Sequence, residues 1–317
     1  MIDSFGRNIT YMRISVTERC DMRCRYCMPE KDVCEKAPAV HLSEEETITA
    51  IRAAASLGIT KLRFTGGDPL IKNNILSLCR KAAAIPGIRE VCVTTNGTML
   101  PALAKPLRDA GVNRVNISLD TLDAARFRSI TRGGDLSRTV DGIRAALEAG
   151  FEKIKLNTVL IGGFNDDEIP AMAELTKRYP LDLRFIELMP MLESHDFGPE
   201  AFLPCALVLE RLPELTPVKP DGGVAKLYQL PGGIGRVGLI SPLSDDFCAY
   251  CNRIRLTADG KLKPCLHAAD EFSLKGLDCA GMVEIMKKAI ACKPSRHGIL
   301  DAATHSRAGR TMNQIGG

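Results

Sequence analysis

The sequence has no tryptophan, and its only aromatic residues are ten phenylalanines and five tyrosines among 317 residues. Proteins that bind single-stranded nucleic acids usually set aromatic side chains among basic ones, and no such stripe occurs here. The net charge of +4 is too small to indicate nucleic-acid binding by itself. We therefore expect no nucleic-acid partner.

Long apolar runs are also missing. No run approaches the roughly 18 residues that a membrane-spanning helix needs. The segment Met1 to Tyr11 has neither an apolar signal core nor an Arg/Ser-rich amphipathic leader. We expect no membrane association and a cytoplasmic location.

The sequence contains no G-x4-G-K-[S/T] phosphate-binding loop, so any nucleotide phosphates must be held by side chains. Basic residues suited to this task lie in separate predicted strands: Arg13, Arg63, Lys155 and Arg184. A buried cation needs an anionic partner, and guanidinium and ammonium groups are common phosphate ligands. Each residue could equally form an ordinary salt bridge, and Arg184 could pair with Glu187.

Cysteine, by contrast, is abundant, with twelve residues. In a reducing compartment this number indicates metal or redox chemistry rather than disulfides. Two groups stand out: the N-terminal cysteine set, Cys20, Cys24 and Cys27, and the C-terminal cysteine set, Cys248, Cys251 and Cys265. Three thiolates on a [4Fe–4S] cluster leave one iron open for another ligand. A structural zinc site is the alternative, with His267 as a fourth ligand in the C-terminal set.

The first two-thirds of the chain alternate strand and helix patterns. Ser43 and Glu46 form a capping-box signature, and Gly58 ends the helix that follows. Repeated strand–helix units with short loops predict a parallel sheet, either open or partly closed into a barrel, with ligands at the carboxyl ends of the strands. The expected strands are 11–17, 61–65, 91–95, 114–119, 153–160 and 182–189, and the later expected helices are 74–84, 100–110, 136–149 and 167–179.

The pattern changes after about residue 190. A helix near 201–212 precedes a Gly/Pro-rich stretch, and short strands are expected at 226–230, 236–240, 254–257 and 261–264. We predict two regions: residues 1–215 with the N-terminal cysteine set, and residues 216–317 with the C-terminal cysteine set.

The N-terminal cysteine set has the spacing C-x3-C-x2-C with Tyr26 before the last cysteine, which resembles the signature of the radical S-adenosylmethionine (SAM) superfamily. The resemblance implies a [4Fe–4S] cluster whose open iron binds SAM and cleaves it to a 5′-deoxyadenosyl radical. It also implies an α/β fold, an incomplete (β/α)6 barrel similar to a TIM barrel, with a small C-terminal α+β region closing its open side.

The turn Thr65–Pro69 follows the second predicted strand. Its glycines allow close backbone approach, and the carboxylate of Asp68 can accept from an ammonium group. The superfamily usually has Glu at this position, and Asp is one methylene shorter. The positions that resemble SAM-contacting ones are Tyr26, Gly67, Asp68, Ser118 and Met189.

The C-terminal cysteine set continues with Asn252-Arg253-Ile254-Arg255, which resembles the GTP 3′,8-cyclase family of radical SAM enzymes. Arg253 and Arg255 would project to one side of a strand. The resemblance implies a second [4Fe–4S] cluster that binds the guanine base. It also implies that GTP is contacted by Arg13, Arg63, Thr94, Lys155, Arg253 and Arg255. Arg253 and Arg255 would in addition be catalytic.

The chain ends in Gly316-Gly317, which by itself indicates a frayed tail. The resemblance instead implies a catalytic tail that reaches into the active site. It further implies the first step of molybdenum cofactor biosynthesis, an external electron donor, and cyclic pyranopterin monophosphate synthase as the consumer of the product. Monomer and homodimer both stay open. The alternative functions are a peptide-modifying radical SAM enzyme and a metal-stabilised binding module for RNA.

Overall fold

The computed structural model describes residues 1–29, 41–191, 197–298, 300 and 306–316. The strands are β1 (Tyr11–Ser15), β2 (Lys61–Thr65), β3 (Glu90–Thr95), β4 (Arg114–Ser118), β5 (Lys153–Leu160), β6 (Asp182–Glu187), β7 (Thr216–Pro217), β8 (Lys226–Gln229), β9 (Arg236–Ile240), β10 (Arg253–Leu256), β11 (Lys261–Lys263) and β12 (Phe272–Ser273). The helices are α1 (Glu44–Ser56), α2 (Ile75–Ala83), α3 (Leu100–Asp109), α4 (Ala124–Ile130), α5 (Leu136–Glu148), α6 (Ile169–Ala173), α7 (Leu175–Arg178), α8 (Ala206–Arg211), α9 (Cys279–Ala291) and α10 (Met312–Ile315).

One sheet runs through the described residues in the order β12-β11-β10-β1-β2-β3-β4-β5-β6-β9-β8-β7. Strands β1 to β6 are parallel neighbours, as the alternation of strands and helices predicts. The expected α/β fold with an incomplete barrel is confirmed.

Strands from the C-terminal part of the chain extend both edges of this sheet. Strand β10 pairs in parallel with β1, and β9 pairs in parallel with β6, so eight parallel strands lie side by side. The remaining short strands, β7, β8, β11 and β12, add antiparallel pairs at the two margins. The predicted boundary at residue 215 falls within this continuous sheet and stays a prediction.

The parallel strands alternate in polarity along their length. Side chains such as Met12, Leu62 and Phe64 are fully buried in the main apolar core with the helices. Their sequence neighbours Arg13 and Arg63 point to the opposite face because side chains alternate along a strand. The inner face of the partial barrel is therefore polar and largely basic.

The first helix follows the predicted capping logic. Ser43 Oγ accepts a hydrogen bond from the Glu46 amide at 3.1 Å, and the Glu46 carboxylate accepts from the Ser43 amide at 2.8 Å. Gly58, just beyond the end of α1, has φ +91°, a value that suits glycine. Helix α1 packs against α9 from the end of the chain.

Two predicted helices differ from the observed ones. The helix expected at 167–179 is divided into α6 and α7, with Glu174 ending one and beginning the other. The helix expected from Ala201 begins only at Ala206, since Pro204 disfavours helical backbone in the residue before it. No helix within the described ranges is long and apolar enough to cross a lipid bilayer.

Candidate active site at the two cysteine sets

The loop that carries the N-terminal cysteine set leaves the carboxyl end of β1 and is held by backbone hydrogen bonds. The amide of Cys27 donates to the Cys24 carbonyl at 2.9 Å, which closes a turn. The amides of Arg23 and Arg25 donate to carbonyls at the end of α4, at 3.1 and 2.9 Å. The three thiols are free and partly exposed, so they are available as metal ligands.

The glycines of the turn after β2 allow this turn to pack on the cysteine loop. The amide of Gly67 donates to the Thr17 carbonyl at 2.8 Å. A Cβ at Gly67 would lie 1.9 Å from the Arg19 carbonyl oxygen, and one at Gly66 would lie 2.2 Å from that of Thr17. Any larger residue would push the two loops apart.

Asp68 is buried, and its carboxylate is engaged within the protein. Oδ1 accepts from the Leu70 amide at 2.8 Å, while Oδ2 accepts from Thr95 Oγ1 and the Asn96 amide, both at 2.7 Å. Burial raises the pKa of Asp68 to about 6 despite these bonds. The carboxylate therefore fixes the turn after β3 relative to the turn after β2.

Tyr26 reaches across the loop to the end of β4. Its hydroxyl donates to Asp120 Oδ2 at 2.7 Å, and Asp120 Oδ1 accepts from the Val159 amide at 2.9 Å. Burial raises the pKa of Asp120 to about 6. By accepting the hydrogen bond from the Tyr26 hydroxyl, Asp120 orients the aromatic residue of the cysteine motif.

The two other predicted SAM-contacting residues also lie at carboxyl ends of strands. Ser118 is the last residue of β4 and is half-buried. Met189 follows β6 and packs in a small apolar cluster that contains Ile315 of α10. The predicted SAM-contacting positions thus lie along the same end of the sheet.

The C-terminal cysteine set lies at the opposite end of the barrel. Cys251 precedes β10 and Cys265 follows the antiparallel β11, so both lie near the amino end of β10. The N-terminal cysteine set follows the carboxyl end of the parallel neighbour β1. A five-residue strand spans roughly 15 Å, which separates the two sets along the barrel.

Charged residues surround the C-terminal cysteine set. Arg7 donates to the Cys248 carbonyl at 2.8 Å. A hydrogen bond to Cys248 raises the pKa of His297 to about 9. Burial raises the pKa of the Cys251 thiol, but the charges of Arg253 and Lys293 outweigh burial and lower it to about 7.

The N-terminal cysteine set has the opposite electrostatic surroundings. Burial and the neighbouring Asp68 raise the pKa of Cys20 to about 12. Burial also raises the pKa of Cys27 to about 12, with Asp120 adding to the effect.

The donor sets fit iron–sulfur clusters better than single metal ions. Among the described residues, no three His, Cys, Asp or Glu side chains lie close enough together to hold one ion. Each set nevertheless offers three free thiols. A cluster binds each thiolate to a different iron. His267, the proposed fourth zinc ligand, instead has Nδ1 3.0 Å from Ser306 Oγ.

Basic residues line the barrel between the two sets. Arg13 of β1 lies in register with Arg63 of β2 and Arg255 of β10. Arg63 donates to the hydroxyl of Tyr11 and to Thr94 Oγ1, the latter at 3.0 Å. Burial, together with Arg63 and Arg253, lowers the pKa of Arg13 to about 10. Such mutual repulsion is relieved by a bound anion.

Lys155 lies further along the sheet and is paired with carboxylates. Its Nζ is 2.8 Å from Asp221 Oδ2 and 3.2 Å from Asp182 Oδ2, and its side chain is fully buried. Arg184 is 3.8 Å from the same Asp221 oxygen, so it pairs with Asp221 rather than with Glu187. Burial and Arg184 lower the pKa of Lys155 to about 8.

The chain's end is folded into the barrel. Arg255 Nη1 donates to the Gly316 carbonyl at 2.5 Å, and Asn313 Nδ2 donates to the Glu18 carbonyl at 3.1 Å. Arg310 anchors this segment through Glu271, at 2.6 Å, and Asp259, at 2.9 Å. The frayed tail expected from sequence alone is wrong for residues 306–316, and Gly317 lies outside the described residues.

Two family models and full-length relatives match the chain. The Radical SAM superfamily model matches residues 14–176, and the Molybdenum Cofactor Synthesis C model matches residues 181–299. The GTP 3′,8-cyclase of Alkaliphilus oremlandii is 45% identical, and those of Pelotomaculum thermopropionicum and Moorella thermoacetica are each 46% identical, with 100% of each chain covered. The chain belongs to the GTP 3′,8-cyclase family of radical SAM proteins.

Solved structures share the fold of this family member at low sequence identity. SuiB of Streptococcus suis has a TM-score of 0.62 at 14% identity, over 82% of this chain and 61% of SuiB. The hydrogenase maturase HydG from Carboxydothermus hydrogenoformans has a TM-score of 0.52 at 19% identity, over 67% of this chain and 53% of HydG. These likenesses concern the fold alone.

Sequence reasoning missed several residues of this site. Asp120 directly follows the end of a predicted strand, where ligand-binding residues are expected. Its position in the sequence was therefore a signal from which it could have been identified. Asp221 lies in a Gly/Pro-rich loop 66 residues from Lys155, and Lys293 lies beyond a helix that the sequence analysis left unassigned. Neither carries a local signal.

Proposed function

We propose that this chain is a radical SAM enzyme that converts GTP to (8S)-3′,8-cyclo-7,8-dihydroguanosine 5′-triphosphate, the first step of molybdenum cofactor biosynthesis. The observation that supports this most is the placement of two three-cysteine sets at opposite ends of adjacent parallel strands, with Arg13 and Arg255 between them. Two ligands held at opposite ends of one cavity are oriented for a single hydrogen transfer. The family membership agrees with this placement.

Cys20, Cys24 and Cys27 would hold one [4Fe–4S] cluster, and Cys248, Cys251 and Cys265 would hold a second. When bound, the N-terminal cluster and SAM supply the reducing electron and the 5′-deoxyadenosyl radical that removes a hydrogen atom from the substrate. In this proposal Gly67, Ser118 and Met189 line the SAM pocket, while Tyr26 and Asp68 shape it through their protein hydrogen bonds.

The triphosphate of GTP is assigned to the basic inner face. Arg13 and Arg63 project from adjacent strands, and Thr94 already accepts from Arg63. Lys155 completes the set, and its carboxylate partner Asp221 has to share the ammonium group with phosphate oxygens. Guanidinium groups bind phosphate as planar forks and an ammonium group binds it as a point charge.

The guanine base is assigned to the C-terminal cysteine set, where Arg253 and Arg255 flank it. The reaction moves the C3′ hydrogen out of the ribose, joins C3′ to C8 of guanine, and requires one further electron and proton at the base. The Gly316 carbonyl accepts from Arg255, and a side chain at Gly316 would collide with Thr65, so the proposed catalytic tail needs glycine at this position.

Two functional partners follow from this chemistry. An external electron donor must supply the reducing equivalents, because the cleavage of SAM and the reduction at the base each consume one electron. Cyclic pyranopterin monophosphate synthase is the proposed consumer of the cyclised nucleotide.

An anaerobic assay tests the function. Reconstituted protein, SAM and dithionite are incubated with and without GTP, and 5′-deoxyadenosine and nucleotide products are quantified. We expect GTP-dependent 5′-deoxyadenosine matched by cyclised guanosine triphosphate. Deoxyadenosine formation without GTP consumption would contradict the substrate assignment. Zinc at both cysteine sets, with no iron, would contradict the enzyme class.

A cysteine variant separates this function from peptide modification. In Cys251→Ala we expect cyclisation to fall to background while iron at the N-terminal cysteine set is retained. Cys292→Ala is the matched control, since Cys292 is exposed and lies outside both sets. Full GTP turnover by Cys251→Ala would exclude a substrate site at the C-terminal cysteine set.

A further inference from the structure

The side chain of Lys293 ends beside a thiol of the C-terminal cysteine set. Its Nζ donates to the Pro264 carbonyl at 2.7 Å, the Arg253 carbonyl at 2.9 Å and Cys251 Sγ at 3.5 Å. An ammonium group has three hydrogens, so each has a protein acceptor. The residue is only 2% exposed.

The charge of Lys293 needs an anion. Burying an ammonium group is costly unless it is paired with negative charge. Two of its three partners are neutral carbonyls and none is a carboxylate. The Cys251 sulfur, as a thiolate, is therefore the anionic partner.

The backbone holds this ammonium group firmly in place. Lys293 lies two residues beyond α9, and its amide donates to the Ile290 carbonyl at 3.2 Å. The two carbonyls belong to separate segments: Arg253 is two residues after Cys251, and Pro264 directly precedes Cys265. One ammonium group thus ties together the two segments that carry the cysteines of this set, 248–251 and 265.

We propose that Lys293 is a positioning residue that raises the reduction potential of the [4Fe–4S] cluster in the C-terminal cysteine set. The inference rests on the proposed function only in that this set binds such a cluster. One-electron reduction adds negative charge to a cluster, and a cation hydrogen-bonded to a ligand sulfur stabilises the reduced state. At the N-terminal cysteine set, Cys20 Sγ accepts from the neutral amides of Met22 and Asn96 and lies 3.8 Å from the carboxylate of Asp21.

Redox titration of the full-length protein with both clusters reconstituted tests this proposal. Dithionite is the reductant, and electron paramagnetic resonance follows the reduced clusters. The variant Cys24→Ala, which lacks a ligand of the N-terminal cluster, identifies the reduction step that belongs to the C-terminal cysteine set. We expect Lys293→Met and Lys293→Gln to shift that step to more negative potential and leave the other step unchanged. Lys293→Arg, which keeps the charge, should retain most of the wild-type potential.

Lys287→Met is the matched control, because Lys287 lies on α9 and pairs with Glu284 at the surface. A wild-type potential in Lys293→Met with full iron content would overturn the proposal. If Lys293→Met loses iron from this set, Lys293→Gln decides, since its amide still donates to the carbonyls without carrying charge. Zinc in the wild-type C-terminal set would overturn the cluster assignment instead, and metal analysis detects that outcome separately.

Discussion

Gly316 meets three constraints at a single residue. Its φ of +79° lies in the region that favours glycine, and a Cβ would lie 2.5 Å from Thr65 Cγ2. Its carbonyl oxygen accepts from Arg255. The last residues of the chain therefore contact both β2 and β10, and the sequence of the tail is restricted by the barrel into which it folds.

Gly316→Ala should lower GTP turnover by about tenfold or more, a loss of ~1.4 kcal/mol in transition-state stabilisation. The methyl group displaces the tail but leaves both cysteine sets intact, so iron content should not change. Anaerobic product formation and iron analysis measure the two effects.

Gly309→Ala is the control, because Gly309 also has a positive φ, +65°, but open space around its Cβ position. Thr65→Ser removes the methyl group that collides and should restore part of the activity of Gly316→Ala. Wild-type turnover in Gly316→Ala would show that the tail does not need this conformation.

At the scale of elements, the loop between β7 and β8 carries an acidic side chain into the sheet. Asp221 lies within 4 Å of Lys155, Arg184 and Arg236. Burial alone would raise the pKa of Asp221, but its hydrogen bond and charge interaction with Lys155 hold it well below the usual range. Charge interactions thus help to hold the loop against the sheet.

Asp221→Asn should destabilise the protein by about 1–3 kcal/mol at pH 7, since Lys155 keeps Asp182 as a partner but Arg184 loses the carboxylate beside it. The folded-state pKa is lowered, so the contribution is present above the unfolded value near 4 and is lost as pH falls below it. Denaturant unfolding should give the same difference in the free energy of unfolding between variant and wild type at pH 7 and at pH 5.

Asp245→Asn is the matched control, because Asp245 pairs with Lys226 at the exposed surface. Exposed pairs contribute ~0–1 kcal/mol. Equal losses of stability in the two variants would contradict the inference that the ion pairs of Asp221 stabilise the fold more than an exposed pair does.

Element bounds were predictable where local chemistry sets them. The capping box at Ser43 and the glycine at position 58 delimit α1, and β2, β5 and β9 have the expected bounds. Helix α9 was missed, although Met282, Met286 and Ala289 recur on one buried face at helical spacing.

Long-range contacts were not predictable from one sequence. The side chains of Asp68, Tyr26 and Lys155 are predicted to contact ligands, and in the structure each also bonds to a protein group far along the chain. A sequence motif identifies which residue types a site needs. It does not show which neighbouring side chain already occupies their hydrogen-bonding capacity.

At the scale of the whole molecule, the inner face of the partial barrel between the cysteine sets is cationic. Arg13, Arg63 and Arg255 lie on three adjacent strands, and burial together with Arg13 and Arg253 holds the pKa of Arg255 well below its usual range. Clustered buried cations of this kind select for a polyanion.

Inorganic tripolyphosphate should therefore compete with GTP. We expect it to raise the apparent KM for GTP without lowering kcat, because it occupies the phosphate site and leaves the chemistry unchanged. Initial rates of cyclisation over a range of GTP concentrations provide the measurement. Guanosine at the same concentration should inhibit less, and stronger inhibition by guanosine would show that the base rather than the phosphates dominates binding.

The pairing of β1 with β10 also affects how the protein is made. Residue 253 leaves the ribosome long after residue 13, so β10 can pair with this edge of β1 only late in synthesis. Arg255 joins Arg13 and Arg63 only when the last fifth of the chain emerges. These three cations can therefore come together only after the N-terminal cysteine set has been synthesised.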